Sequence, residues 1–239
     1  MGANDLGIYD REAARWWEPV GPFALLRHLN APRFRFFDRV IPAWAGLRVL
    51  DLGCGGGLTA EALAGRGARV IGIDRSLPSL QVARVHAADG GAVVRYCAGD
   101  ATRLALADHS LDVVVCVDVL EHVPAVPAVL GECARVLRPG GWLLFDTINR
   151  TWLARMVVVW LLEKVLRIIP AGTHDWRLFI TPAELSAGLA AAGFCAPLLR
   201  GFDVVGRRRD GGLLVHFNDN MALTYIGAAR KPADGDRQP

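Results

Sequence analysis

Two segments of the chain combine residue types that could bind a nucleoside. Residues 49–57 read Val-Leu-Asp-Leu-Gly-Cys-Gly-Gly-Gly, and residues 70–74 read Val-Ile-Gly-Ile-Asp. Each is an apolar run typical of a buried strand, the first ending in a glycine-rich turn and the second in the carboxylate of Asp74. Glycine lets the backbone approach a ligand closely, and an acid about 20 residues further on accepts hydrogen bonds from ribose hydroxyls. The spacing from Gly53 to Asp74 therefore predicts a nucleoside site on an open parallel sheet.

The glycine pattern separates two classes of nucleoside ligand. Gly53 and Gly55 match the dinucleotide fingerprint Gly-x-Gly-x-x-Gly, but its last position falls on Leu58. The pattern Asp51-Leu-Gly53-Cys-Gly55-Gly-Gly57 instead resembles the first motif of class I S-adenosylmethionine-dependent methyltransferases. That resemblance implies S-adenosylmethionine as the ligand. A glycine-rich turn without a ligand is the alternative interpretation, and three further elements in the expected order argue against it.

The elements that must position these residues alternate between strands and helices. Residues 94–101 are predicted to form a strand leading to a turn, 110–118 a strand, and 137–145 a turn followed by the fifth strand, with helices at 59–66, 78–88 and 126–136. Asp100, at the turn after the third strand, is predicted to face the adenine. The alternation predicts an α/β fold with a doubly wound, mostly parallel, seven-stranded Rossmann-like sheet. It carries an N-terminal helical arm and an amphipathic helical insertion after strand 5.

Length and composition fit one large domain with small additions. The chain has 239 residues, with 52% hydrophobic and 21% charged residues, which excludes a disordered chain. We predict five segments: an N-terminal arm or lid (1–46), a donor-binding core (47–148), an amphipathic insertion (149–181), a segment completing the sheet (182–231) and a mobile tail (232–239).

The charge and the cysteines of the chain indicate which partners and which cellular compartment to expect. The net charge of +3 is mild, whereas a nucleic-acid-binding protein presents a clustered basic face. The five cysteines are scattered without a Cys-x-x-Cys pair, which is typical of reduced thiols in the cytosol. The first residues lack the apolar core of a signal peptide. We therefore predict a cytoplasmic protein that does not bind nucleic acid.

The insertion contains an apolar run that charged residues interrupt. At about 100° per residue, Glu163, Lys164 and Arg167 fall within one arc of a helix, and Val158 and Leu162 lie on the opposite, apolar side. A membrane span needs roughly 20 apolar residues with few charges, so this run fits an interfacial helix better. The alternative is packing on the protein's own core or on a second subunit. We expect an anionic membrane surface as the partner, which places the protein peripherally on the inner face of the membrane.

Several short motifs resemble those of one family. They are Arg15-Trp16-Trp17, Leu29-Asn30 with Arg33, Leu120-Glu121-His122-Val123, Ile148-Asn149-Arg150 and Pro170-Ala-Gly172-Thr173-His174-Asp175. With them the chain resembles the ubiquinone-biosynthesis O-methyltransferases from about residue 9 to about residue 185, and more weakly to 231. That family methylates a ring hydroxyl of a polyprenylated phenol or quinol, and it carries a membrane-facing insertion at the position of Trp152–Ile169. The resemblance implies this activity, a hydrophobic phenol or quinol substrate, and a biosynthetic complex as a further partner.

The resemblance also implies roles for single residues. The positions that match the family's cofactor contacts are Arg33, Gly53, Asp74 and Val117. A Glu-x-x-Glu-His segment, associated with Mg²⁺ in the family, is matched by Asp118, Glu121 and His122. The first carboxylate is shortened here to aspartate.

The chemistry requires a phenol to lose its proton, which a general base or a divalent cation can bring about. His122 and His174 are the predicted bases. Alternatives stay open for both: Glu121 and His122 could cap the following helix and line a wall, and His174 could hold a turn with Asp175. Two further functions also stay open, O-methylation of another hydrophobic phenol and a catalytically silent subunit of a membrane complex.

Overall fold

Five parallel strands form the half of the sheet that carries the glycine loop. A computed structural model describes residues 4–207, 212–233 and 235. The strands are β1 (Arg48–Leu52), β2 (Arg69–Asp74), β3 (Val94–Ala98), β4 (Leu111–Cys116) and β5 (Leu137–Ile148). They lie in the order β3-β2-β1-β4-β5, and each neighbouring pair is parallel. The order reverses between β1 and β4, and ligands of open α/β sheets bind at the carboxyl ends of the strands beside such a point.

Three antiparallel strands extend the sheet beyond β5. They are β6 (Leu198–Arg207), β7 (Leu213–Asn218) and β8 (Thr224–Arg230), in the order β5-β8-β6-β7. The predicted doubly wound α/β sheet is confirmed, but the described residues contain eight strands rather than seven. The additional strand is β7, where Leu213 and Val215 are buried and Leu214 is exposed, so one face meets the core.

Helices cover both faces of the sheet. They are α1 (Gly7–Arg11), α2 (Ala24–Val40), α3 (Leu58–Ala64), α4 (Leu77–Gly90), α5 (Val126–Val136), α6 (Trp152–Ala154) and α7 (Pro182–Ala191). One buried cluster packs α2, α3 and α4 on the sheet, and a second packs α5 and α7 on the other face. The Ser76 side chain accepts a hydrogen bond from Ser79 N and caps α4.

The N-terminal arm lies against the glycine loop. Trp16 is buried, stacks on Phe23 with ring centroids 4.0 Å apart, and donates from Nε1 to Ser79 Oγ at 2.9 Å. Trp17 stacks on His86 and donates from Nε1 to the Gly56 carbonyl oxygen. The two tryptophans thus attach the arm to α4 and to the loop.

The insertion differs from the predicted amphipathic α-helix. α6 continues into a π-helix, Arg155–Val165, and the side chains buried along it are Ala154, Val158 and Glu163. With 3.6 residues per turn, Glu163 would lie opposite Ala154, but i→i+5 hydrogen bonds widen each turn by about one residue. Glu163 therefore points inward rather than into the predicted polar arc, and Val158 packs in the core rather than on the exposed face.

The outer side of the insertion is apolar. The exposed side chains there include Trp152, Leu153, Met156, Trp160, Val165, Leu166 and Ile168. No helix within the described part of the chain is long and apolar enough to cross a membrane. Of the predicted mobile tail, residues 234 and 236–239 lie outside the described residues. All five cysteines are free thiols.

Candidate active site

The carboxyl ends of β1, β2 and β4 open into a cavity of about 520 Å³. Its lining includes all six predicted donor-binding residues: Arg33, Gly53, Gly55, Asp74, Asp100 and Val117. Asp100 sits at its rim, exposed, where its carboxylate accepts hydrogen bonds from Thr102 N and Oγ1 at 2.8 and 2.7 Å. The sheet thus brings together residues that are up to 84 positions apart, from Arg33 to Val117.

The glycine loop and Asp74 form one hydrogen-bonded unit. Gly53 has a φ of +76°, and a Cβ there would stand 2.2 Å from the Val119 side chain, so the position demands glycine. Gly55 N donates to Asp74 Oδ2 at 2.8 Å, and Ser76 N donates to Asp74 Oδ1 at 2.8 Å. Each carboxylate oxygen keeps further acceptor capacity, which suits the two hydroxyls of a ribose. Burial raises the pKa of Asp74.

Asp51 is a site residue to which the sequence analysis assigned no role. Asp51 lines the cavity and is 1% exposed. Neither of its carboxylate oxygens lies in hydrogen-bonding geometry with a donor of the described residues. Burial raises the pKa of Asp51 to about 7, and the nearby N–H of Ala60 acts in the opposite direction. A buried carboxylate is costly without a partner, so this one suits a cationic group entering the cavity. The feature of the sequence that could have identified Asp51 is its position as the acidic residue at the start of the glycine motif.

Arg33 does not present its charge to the cavity. It is 3% exposed and lies between two carboxylates, with Nε 2.5 Å from Asp146 Oδ2 and a terminal nitrogen 2.5 Å from Asp118 Oδ2. Asp146 Oδ1 also accepts from Asp118 N at 3.0 Å. Burial raises the pKa of Asp146 to about 6, although the charge of Arg33 acts in the opposite direction. Arg33 therefore holds the loop after β4 in place, and Asp146 is a second member of the site that the sequence analysis missed.

The residues predicted as magnesium ligands are engaged with other protein groups, and the described structure does not support a metal site formed by them. The Asp118 carboxylate is paired with Arg33, and Glu121 Oε2 accepts from Thr147 Oγ1 at 2.9 Å. Burial, followed by the charges of Asp118 and Asp146, raises the pKa of Glu121 and favours its neutral form.

His122 is also engaged elsewhere, with Nδ1 2.9 Å from Asn4 Oδ1. Within the described residues, no group of three His, Cys, Asp or Glu side chains is placed to hold a metal ion. A carboxyl group whose neutral form is favoured and an ion-paired carboxylate are a poor donor set for Mg²⁺, which prefers free anionic oxygens.

A smaller cavity, of about 50 Å³, adjoins the large one. Four residues line both: Tyr9, Leu26, Asp118 and His122. The rest of its wall is mainly apolar, from Ile8, Pro22, Phe23, Leu25, Ile169 and Pro170, with Thr173 and His174 at one side. The arrangement offers an apolar compartment with imidazoles next to the larger cavity.

The two predicted bases meet in this small cavity. The rings of His122 and His174 are stacked, with centroids 5.0 Å apart and an interplanar angle of 23°. Burial, together with the neighbouring His174, lowers the pKa of His122 to about 3. His174 does not hold a turn with Asp175, because Asp175 pairs with Arg177. The His174 ring instead contacts Glu163, which the sequence analysis had placed on a solvated helix face.

Comparison with known proteins identifies the family. Residues 50–145 match the methyltransferase domain family. The chain is 43% identical to the ubiquinone biosynthesis O-methyltransferase of Thiobacillus denitrificans over 194 residues, which cover 81% of this chain and 83% of that protein. It is 40% identical to the enzyme of the same name from Hahella chejuensis over 230 residues, 96% of this chain and 94% of that protein. The chain belongs to the ubiquinone biosynthesis O-methyltransferase family.

Solved structures agree on the fold of this O-methyltransferase. A SAM-dependent methyltransferase from Thermotoga maritima superposes with a TM-score of 0.67 at 18% identity, over 94% of this chain and 98% of the other. Magnesium protoporphyrin IX methyltransferase from Synechocystis, solved with bound SAH, gives 0.66 at 20% identity, over 95% of both chains. The resemblance inferred from the sequence motifs is thus confirmed, and the chain is an S-adenosylmethionine-dependent O-methyltransferase.

Proposed function

We propose that this O-methyltransferase methylates a ring hydroxyl of a polyprenylated phenol or quinol in ubiquinone biosynthesis. The observation that carries the proposal is the adjoining pair of cavities. The larger is lined by the carboxylates of Asp51 and Asp74, and the smaller is apolar with His122 and His174 in its wall. A donor in the first and an aromatic ring in the second would be neighbours, and alignment of two reactants supplies much of the rate of a displacement reaction.

The residues of the large cavity suit the methyl donor. Asp74 would accept hydrogen bonds from the ribose, Asp100 would lie near the adenine, and Asp51 would face the ammonium group of the amino-acid part. The donor supplies an electrophilic methyl group on a sulfonium sulfur. The chain has to exclude water, hold the acceptor hydroxyl towards that methyl group, and take the phenol proton. His122 and His174 are the candidate bases because both line the smaller cavity, which we call the acceptor compartment.

The acceptor compartment must enlarge before an aromatic ring can bind. Its volume is about 50 Å³, whereas an engineered protein cavity that holds benzene measures about 150 Å³. Six of its lining residues belong to the N-terminal arm: Ile8, Tyr9, Pro22, Phe23, Leu25 and Leu26. We therefore expect the arm to move outward when the acceptor enters and to close over it afterwards.

The insertion supports a lipid-linked acceptor. Ile169 and Pro170 line the small cavity and directly follow the segment that exposes Trp152, Leu153, Met156 and Trp160. A prenyl tail leaving the cavity past them would reach this apolar face. We propose that the face contacts an anionic membrane surface, helped by the exposed Arg155, Lys164 and Arg167, and that the protein is peripheral on the inner face of the membrane.

Lipid analysis tests the proposed acceptor. Cells that lack the gene should accumulate a prenylated aromatic with a free ring hydroxyl in place of a methoxy group, and the gene should restore the methoxy compound. An unchanged prenylated lipid fraction, with a methyl group missing from a different phenol, would contradict the proposed substrate. Unchanged methylation of all aromatics would favour a catalytically silent subunit.

A further inference from the structure

Glu163 is a buried carboxylate that lies outside the donor cavity. It is 1% exposed and lies on the inner side of the insertion. Oε2 accepts from Gly172 N at 2.8 Å, and Oε1 accepts from His174 N at 3.1 Å and lies 2.7 Å from His174 Nδ1. Three contacts of one side chain therefore converge on the loop that carries His174.

We propose that Glu163 is a positioning residue for O-methylation, which holds His174 as the general base that takes the acceptor's phenolic proton. This inference rests on the function proposed above. In this arrangement Glu163, on the insertion, acts on the acceptor hydroxyl through His174.

The hydrogen bonds fix the tautomer of His174. Both Glu163 oxygens accept from backbone N–H groups, which suits a carboxylate, and a carboxylate can only accept from Nδ1; with that proton on Nδ1, the lone pair of a neutral ring lies on Nε2. Nε2 forms no hydrogen bond within the described part of the chain, and it is not sealed away from solvent. The ring lines the acceptor compartment, so this lone pair is the one available to an acceptor hydroxyl.

The surroundings favour His174 over His122 as the base. His122 Nδ1 faces the amide oxygen of Asn4, which brings no negative charge, whereas His174 has a carboxylate at 2.7 Å. A carboxylate stabilises the imidazolium that forms when a histidine accepts a proton. The other ionisable groups around this compartment are Asp118 after β4 and Tyr9 on α1, and neither hydrogen-bonds to His174.

The step balances in atoms and charge. The phenolic O–H proton moves to His174 Nε2 while the oxygen lone pair forms a bond to the methyl carbon of S-adenosylmethionine. The bond from that carbon to sulfur breaks, and its electron pair stays on sulfur, which gives the neutral thioether of S-adenosylhomocysteine. The imidazolium, held by Glu163, then releases its proton to water.

The experiment compares two acceptors whose hydroxyls differ in acidity. They are a catechol with a single isoprene unit, neutral at the assay pH, and its nitro derivative, whose hydroxyl is already ionised. Steady-state rates are measured with full-length Glu163→Gln, His174→Gln and the double variant. Glu61→Gln is the matched control, because Glu61 pairs with His86 Nδ1 at 2.9 Å but lines neither cavity.

On the neutral catechol, Glu163→Gln should lower kcat about 10–100-fold, as expected for a residue that orients a catalytic group. His174→Gln should lower it about 10²–10⁴-fold, and the double variant should match His174→Gln because the pair acts as a unit. On the ionised nitrocatechol every variant should stay within about twofold of the wild type. The KM for S-adenosylmethionine should be unchanged, and Glu61→Gln should behave as the wild type on both acceptors.

Equal losses on both acceptors, or additive losses in the double variant, would overturn the inference and assign Glu163 a structural role. If Glu163→Gln fails to fold, Glu163→Asp takes its place and is compared with His174→Gln on the same two acceptors. Glu163→Asp keeps the charge. Its kcat on the neutral acceptor should fall less than that of His174→Gln, and its kcat on the ionised acceptor should not fall. A wild-type enzyme that methylates neither catechol would instead contradict the proposed function.

Discussion

The Asp74 carboxylate accepts a hydrogen bond from Gly55 N at 2.8 Å, so the acid at the end of β2 fixes the glycine loop at the end of β1. Its other oxygen accepts from Ser76 N, at the start of α4. One side chain therefore orders the backbone on both sides of the donor cavity. This contact ties the two halves of the nucleoside site together before any ligand arrives.

Removal of the Asp74 carboxylate should weaken donor binding. Hydrogen bonds to a charged group are worth about 1.5–3 kcal/mol each, so Asp74→Ala should weaken S-adenosylmethionine binding at least tenfold in calorimetric titration. Asp89→Ala is the matched control, because Asp89 is an exposed acid on α4 outside the cavity. Unchanged affinity in Asp74→Ala, with the protein folded, would remove this residue from the site.

Donor binding should release a proton from Asp51. In the empty cavity the pKa of Asp51 is raised to about 7 by burial, and a bound cation would lower it again. Below pH 7 the neutral acid must therefore ionise on binding, and affinity should rise about eightfold from pH 6 to pH 7.5 because only the ionised fraction is competent. Calorimetry in buffers of different ionisation enthalpy measures the released proton.

Asp51→Asn should abolish most of this proton release and flatten the pH dependence. Asp74 also has a raised pKa, so a small residual effect of the same sign is expected. The same shift makes the empty protein less stable as pH rises from about 4 to 7, because the folded state binds more protons than the unfolded state in that range. Identical proton release in wild type and Asp51→Asn would contradict the assignment of Asp51.

The glycine loop, its acid and the strands behind them could be read from the sequence because their signals are local. Gly53 and Asp74 each follow a short, mainly apolar run, which is typical of a parallel strand buried on both faces and shows where the strand ends. The additional strand β7 was not predicted individually because its alternation of buried and exposed residues is short.

The acceptor compartment could not be read from the sequence to the same extent. His122 and His174 were candidates, but their stacking depends on two loops 52 positions apart. Glu163 was placed in the charged arc of an α-helix on the basis of an α-helical period, whereas the π-helix turns that residue inward. Asp146 belongs to no recognisable motif. Its role as an ion-pair partner of Arg33 becomes visible only because the fold places Arg33 beside the end of β5.

Turnover should not depend on a divalent cation. Asp118 is paired with Arg33, and burial raises the pKa of Glu121, which favours its neutral form. Enzyme treated with excess chelator should therefore keep its full rate on the neutral catechol, and added Mg²⁺ should not raise it. A rate that falls on chelation and returns with Mg²⁺ would contradict this account of the three residues.

The exposed apolar face of the insertion should carry the protein to membranes. Leu153 and Trp160 are both 51% exposed, and full burial of each side chain is worth about 1.5–3 kcal/mol. Leu153→Glu with Trp160→Glu should abolish sedimentation with anionic vesicles while leaving donor affinity and turnover of the short catechol unchanged. Turnover of a polyprenyl phenol embedded in vesicles should fall.

The matched control for the membrane prediction is Val85→Glu with Val93→Glu, since both valines are exposed apolar residues outside the insertion. This control should sediment with vesicles as the wild type does. If the insertion variant still sediments, or if it loses donor binding, the face is a contact with another protein or a structural element.

Transfer of a labelled methyl group tests the central claim most directly. Purified enzyme is incubated with S-adenosylmethionine carrying a deuterated methyl group and with a prenylated catechol, and the product is analysed by mass spectrometry and NMR. We predict one deuterated methoxy group on a ring oxygen, formed together with S-adenosylhomocysteine. Donor binding without a methoxy product, or the label on carbon or nitrogen, would contradict the account.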